Sequence, residues 1–521
     1  MKTKIKENNK NNKNGISLIV LVITIIVMII LAAIILSLSS NGIIDRANEA
    51  VDKTDKAQVQ NLASLAWSEA YLNGARTKEE LMLEVSKILK EQGITKADYL
   101  LDITENGVEV TQADTWDYAY TCTGGVWNDD KIEKGNSANG EIVAKFYKTG
   151  KKLSISEDIL GIPLEPDEYK VVITGIGEMG QLVDLETGEA KAWFNELLMY
   201  NPEDENNEAP MVFGISEMII SGEIQNIERV RFNEMFPFGE APLYCSLETV
   251  IIEDANGIIK APKDENGEYI PNESIMLKKL MLLGGKIDIE VGAFYCYSRL
   301  ENVVILGCET EIARGTFWGC QRLATVTIGE GVTSIGEDAF FSCTSLRSIE
   351  ILDGVISVGD SAFFNCTSLT NVILPDSVTS LGNDTFRSCD SLTSIIIPDS
   401  VTSLGDGTFY SCGSLTNITI PDSVTSLGHT VFGLCSSLKG VIIGRGITSI
   451  IHSTFSNCSK LTTVTIPDNV ISIGKSAFND CKNLKTVYYT GTEDEWNRIT
   501  IDSNNEYLTN ANIVFNYTPN N

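Results

Sequence analysis

The chain has 521 residues and a formal net charge of -30, from 40 Lys+Arg against 70 Asp+Glu. Hydrophobic residues make up 43% and charged residues 21%, which excludes an acidic disordered tail, and the net negative charge disfavours binding to a nucleic-acid backbone, which needs a basic face. Two histidines in the whole chain leave little for imidazole catalysis or a histidine-rich metal centre.

The chain opens with a basic leader, residues 1–15, carrying Lys2, Lys4, Lys6, Lys10 and Lys13. It then runs without charge from Ile16 to Leu36. A helix over that run would span about 31 Å, close to the bilayer hydrocarbon, so a transmembrane helix is predicted over 16–38. The positive-inside rule keeps the lysines in the cytoplasm and sends the remainder outward, past Asp45, Glu49 and Asp52. A secretory signal peptide has the same charge sign but a shorter apolar core. The sequence NG followed by ISLIVLVITIIVMIILAAIILS resembles the leader and first helix of type IV prepilins and pseudopilins. That resemblance covers about 75 residues and implies cleavage after Gly15, with methylation of Ile16, by a prepilin peptidase. The family's glutamate five residues after the cut is replaced by Val20, which puts polymerisation in doubt.

Residues 39–150 are expected to form a helical extension and a small pilin-like head. Val59, Leu62, Ala66 and Ala70 recur at three- and four-residue intervals, as one face of a helix does. Thr77 and Glu80 have capping-box spacing before Leu81, Leu83, Val85, Ile88 and Leu89, and Gly93 stops this second helix. From Tyr99 to Trp127 the pattern is of strands, with Asn106-Gly107 as a hairpin turn. Residues 151–290 are predicted as an acidic lead-in with degenerate repeats. Between Glu157 and Glu208 there are 14 acidic residues and two lysines, but no calcium-loop pattern. Traces of coils are visible at Tyr169–Asp184, Ile215–Phe232 and Cys245–Ile252.

A fixed period dominates residues 291–487. Cys320, Cys343, Cys366, Cys389, Cys412, Cys435, Cys458 and Cys481 stand 23 residues apart, and Phe317 to Phe478 and Leu323 to Leu484 keep the same step. Such a period means a solenoid whose coils are stable only when stacked. In the unit Ser391–Cys412, Leu392, Ile395 and Ile397 are expected on a short inward-facing strand, Pro398-Asp399 ends it, Val401 and Leu404 face inward again, and Gly405 turns the chain. This array resembles the BspA-like leucine-rich repeats in length, proline, glycine, Phe and Cys. Cys296, in Ala293–Cys296, marks an earlier coil, and residues 488–521 resemble the family's terminal segment and are expected to cap the core. The fold class is therefore α+β: a transmembrane pilin-like helix with a small α/β head, followed by a β-rich leucine-rich-repeat solenoid of 23-residue coils.

The register places each cysteine inward beside phenylalanine, which favours a buried ladder of free thiols over disulfides, although an outward location would permit oxidation. His429 and His452 fall in a column with Glu337, Asp360, Asn383, Asp406 and Lys475, which makes a solvated pair the better reading than a metal site. The outward strand positions form two columns. One runs Thr327, Glu350, Ile373, Ile396, Thr419, Ile442, Thr465 and Tyr488; the other includes Asn371 and Asn417. Isoleucines beside small hydroxyls suit a contact surface for protein or glycan, and they equally suit a sheet that needs β-branched residues for itself. No GxSxG, HExxH, Walker loop or well-placed GxGxxG occurs, and Thr174–Gly180 has its glycines at the wrong spacing. The expectation is a non-catalytic surface protein without cofactor or metal. It would be held by one membrane helix, with its repeats extracellular, and would bind an extracellular protein or glycan. The alternatives are a minor pilin or pseudopilin working with pilus or secretion components, and a surface hydrolase within Ile94–Lys260.

Overall fold

The computed structural model describes residues 247–261 and 277–518 continuously, and before them helical residues between 59 and 89 and strands between 99 and 225. The chain divides into two units, Met1–Asn61 and Leu62–Asn521. In the first only Val59 and Gln60 are described, both helical. The leader, Gly15, Ile16 and the expected transmembrane helix over 16–38 lie outside the described residues. Among the described residues no helix is long and apolar enough to cross a membrane.

Residues 62–71 are helical, with Ala63, Ala66 and Ala70 buried; Leu62, expected on that face, is half-buried. The second helix is present at 81, 84, 85, 88 and 89 and buries Leu81, Val85 and Leu89, while its proposed capping box lies outside the described residues. The first hairpin pairs Tyr99–Thr104 with Gly107–Gln112, closing on Thr104 opposite Gly107. The glycine therefore stands in the strand and not at the tip, one residue from the expected turn.

A long sheet follows. Tyr118–Thr123, Ile142–Lys152 and Asp167–Gly175 pair antiparallel. Asp167–Gly175 also pairs parallel with Ile215–Ser221. From there every neighbour is parallel, through Thr249–Glu253, Lys279–Leu283, Asn302–Leu306, Thr325–Ile328 and Ser348–Ile351 to Asn371–Ile373. One strand thus joins the antiparallel part to the solenoid.

Each coil of the solenoid presents three faces. Alternation sets the first: Val326 and Ile328, or Ile349 and Ile351, turn inward and are buried. The second face carries two parallel sheets, one from Thr310–Ile312 through Val332–Ile335 to Ser426–Leu427 and one of Ser449–Ile450, Ser472–Ile473 and Thr500–Ile501. On the third face turns replace strands, yet they too are bonded coil to coil, as Phe340 N–H donates to Ala362 O at 2.8 Å and Ser342 N–H to Phe364 O at 2.8 Å. The phenylalanines from Phe294 to Phe478 stack in one file with centroids 5.1–5.5 Å apart.

Two local expectations are corrected. Gly405 is needed for space as well as for turning, because a Cβ there would lie 2.5 Å from Asn383 N of the preceding coil. Residues 394–397, expected as a strand, belong to no ladder, although Ile395 and Ile397 are buried as foreseen. The first-face sheet stops at Asn371–Ile373 and resumes at Asn417–Ile420. Proline has no N–H to donate, so Pro398 and Pro421 each remove one rung on either side of residues 394–397, but Pro375 and Pro467 hold the same position where the sheet persists, so proline alone does not open it. At Leu352 and Thr490, in the same position, the rung is made: Leu352 N–H donates to Ile328 O at 2.7 Å and Thr490 N–H to Ile466 O at 3.1 Å. The second face stays continuous across the gap.

The last segment adds one strand to each sheet, Thr500–Ile501 and Asn512–Val514. A capping box between Thr492 and Glu495 starts the helix Glu493–Trp496, which buries Trp496 against Tyr489. Asn505 closes the third face. Its buried side chain accepts from Phe478 N–H at 2.9 Å, where a further coil would have offered a carbonyl, and donates to Gly474 O at 3.0 Å.

Candidate binding surface

The eight periodic thiols are all buried and free. Each donates to the carbonyl of the phenylalanine one coil earlier, from Cys320 to Phe294 O at 3.2 Å to Cys481 to Phe455 O at 3.2 Å. Burial pushes Cys366, Cys435 and Cys481 up to about 12, and Cys343, Cys389, Cys412 and Cys458 well above the ordinary thiol value. Protonated and enclosed, these sulfurs serve packing and not reaction. The earlier coil marked by Cys296 exists, but the residue in phase with Cys320 is Tyr297. Cys296 takes the neighbouring position, half-buried at a φ of 56°, which Gly319 fills one coil later. Among the described residues no group of three or more His, Cys, Asp or Glu is gathered to hold a metal. His429 and His452 are exposed with ring centroids 6.0 Å apart. The backbone N–H of His429 donates to Asp406 Oδ1 at 2.5 Å, one rung of a polar ladder continuing through Asn383 to Asp360.

Strand pairing puts the predicted strip in register. Thr327 stands opposite Glu350 and Glu350 opposite Ile373, with Asn371 beside Ser348. After the gap Thr419, Ile442, Thr465 and Tyr488 follow in line, with Asn417 opposite Gly440. The exposed centre is Ile396, 85% accessible, between Ile373 at 49% and Ile442 at 43%. Thr419, Asn371 and Asn417 are exposed, and Thr327, Glu350 and Tyr488 are half-buried. Thr465 is enclosed at 7% beside Tyr488, whose ring packs on Tyr517 with centroids 4.4 Å apart. Flanking threonines bond their hydroxyls to the preceding coil: Thr370 donates to Arg347 O at 3.0 Å, Thr416 to Thr393 O at 3.2 Å and Thr462 to Lys439 O at 2.9 Å. Over its middle coils this face presents isoleucines beside uncharged polar side chains, Asn371, Ser394, Asn417 and Thr419.

Two further surface features were not singled out from the sequence. On the second face Ile356 and Ile471 are exposed in a column of threonines. On the third face Trp318, Phe341 and Phe364 stack half-buried, and Arg387 lies between Phe364 and Tyr410, 5.6 and 4.5 Å from their centroids. The signal was present: an aromatic directly follows the periodic phenylalanine at 295, 318, 341, 364 and 410.

Comparison with known proteins gives a consistent result. Residues 287–415 and 402–511 match the family described as BspA type leucine rich repeat region, in six copies. No curated protein matches the chain. Among solved structures, the leucine rich repeat protein of T. pallidum is 26% identical, with 36% of this chain and 86% of that chain covered and a TM-score of 0.29. A leucine-rich repeat protein from Bacteroides ovatus is 21% identical over 70% of this chain and 88% of that one, with a TM-score of 0.39. A leucine rich cell surface protein from Faecalibacterium prausnitzii is 20% identical over 71% and 99%, with a TM-score of 0.29. Over residues 287–511 the chain carries a BspA-type leucine-rich repeat region.

Proposed function

We propose that the chain is a membrane-anchored surface protein that binds an extracellular protein or glycan, without catalysis, through the outward strip centred on Ile373, Ile396 and Ile442. The observation carrying this reading is the exposure of three isoleucines in one column of stacked coils, Ile373 and Ile442 on strands and Ile396 in the interval where no ladder forms. Aliphatic side chains are cheap to strip of water. The anchor is the uncharged run Ile16–Leu36, with the lysine leader inside and the repeats outside. The test is to present the whole protein to a panel of purified extracellular proteins and neutral glycans. Saturable binding to at least one is expected. Binding to none, or repeats that survive external protease on intact cells, would contradict it.

A second reading, a minor pilin or pseudopilin, is favoured by the sequence around Gly15 and Ile16. Intact mass and terminal sequencing of the native protein are expected to give a methylated Ile16 start. Presence only in membranes and never in sheared filaments would count against that reading.

A further inference from the structure

We infer that the helical segment within residues 62–89 is seated on the outward face of the first solenoid strands, so that part of this face is already occupied in cis. Strand pairing extends the outward column upstream from Thr327 through Val304, Met281 and Ile251 to Ile219. These four side chains share the register of the exposed isoleucines, yet all are buried. They do not belong to the continuous core, which takes their inward neighbours Met218, Val250, Leu280 and Val303. Something other than the solenoid interior therefore covers them.

Among the described residues of this unit, the remaining apolar side chains buried outside that core are Ala63, Ala66 and Ala70 on one helix, Leu81, Val85 and Leu89 on the next, and Leu283 and Leu306 at strand ends. Each helical set recurs at three- or four-residue steps, a single stripe. Ala63 to Ala70 spans about 10 Å and Leu81 to Leu89 about 12 Å, against about 14 Å for four strands abreast. Small alanines let a helix approach a sheet that supplies the bulk itself, here Ile, Ile, Met and Val. The open strip begins where this cover ends, at Thr327.

Met281 is a built-in reporter, because an uncovered methionine is readily oxidised to the sulfoxide, and Met218 on the inward side is its control. In the full chain, Ala66→Glu keeps a good helix former but puts a charge on the stripe. Mild peroxide followed by peptide mass analysis is expected to oxidise Met281 at least tenfold faster than in the parent, with Met218 still protected. Reciprocally, Met281→Lys is expected to open new protease cleavage between residues 62 and 89. If Met281 stays protected in both Ala66→Glu and Ala70→Glu, another segment is the cover and the inference fails. It fails equally if Met218 is oxidised along with Met281, since the helix would then support the solenoid core.

Discussion

Single residues carry opposite strains at two positions of the coil. Leu434 sits at a φ of 59° where other coils place Gly319, Asn365 or Asn457, and its side chain is exposed. The left-handed region costs an ordinary side chain about 1 kcal/mol, so Leu434→Gly or Leu434→Asn is expected to raise thermal stability by about that much. Gly405→Ala should act in reverse, costing about 1–3 kcal/mol by forcing coils apart, a milder cost than total exclusion because Ile451 occupies the same column. Both are read from melting curves. The thiols add a pH dependence. Burial holds Cys366, Cys435 and Cys481 near 12 against an ordinary 9.0, so the folded chain keeps protons that the unfolded chain releases. Their contribution is complete below the unfolded value and is lost as pH climbs from 9.0 towards about 12. A chain with these three cysteines changed to alanine is therefore expected to melt earlier at neutral pH but to lose less stability above pH 9. An equal alkaline slope would contradict the ladder's protonated state.

At the level of the element, the gap at residues 394–397 is a weak point of the first face. Amides there lack ladder partners, so they are expected to exchange with deuterium faster than those of Ser348–Ile351 or Asn417–Ile420. Equal protection would contradict the gap. The sequence announced the period, the inward columns and even the strip's register, because each follows from spacing alone. It did not announce the gap: Pro398 is an ordinary strand end, and Pro375 and Pro467 hold the same position where the sheet persists. The same holds for Asn505, which resembles any loop asparagine until its side chain is seen standing in for a carbonyl of the next coil. Replacing it with alanine leaves Phe478 N–H unpaired and is expected to cost about 1–3 kcal/mol, with fraying confined to the last coil.

Across the whole described molecule, one sheet runs from the antiparallel strands through Asp167–Gly175 into the repeats, so the solenoid is braced at its start as it is capped at its end. This continuity was legible only as scattered traces, since the strands before Lys279 have irregular spacing. The burial of Ile219, Ile251, Met281 and Val304 was not legible at all, because it depends on what lies above the sheet. The exposed part of the column is thereby narrowed to its middle coils. With a binder in hand, comparison of Ile396→Asp with Ile356→Asp tests the surface directly. Both residues are exposed, so neither change should unfold the chain, and the second lies on another face. A charge buried against an apolar partner is expected to weaken binding about tenfold or more for Ile396→Asp, and less than about twofold for Ile356→Asp. Equal affinities for the two variants and the parent would contradict the strip as the binding surface.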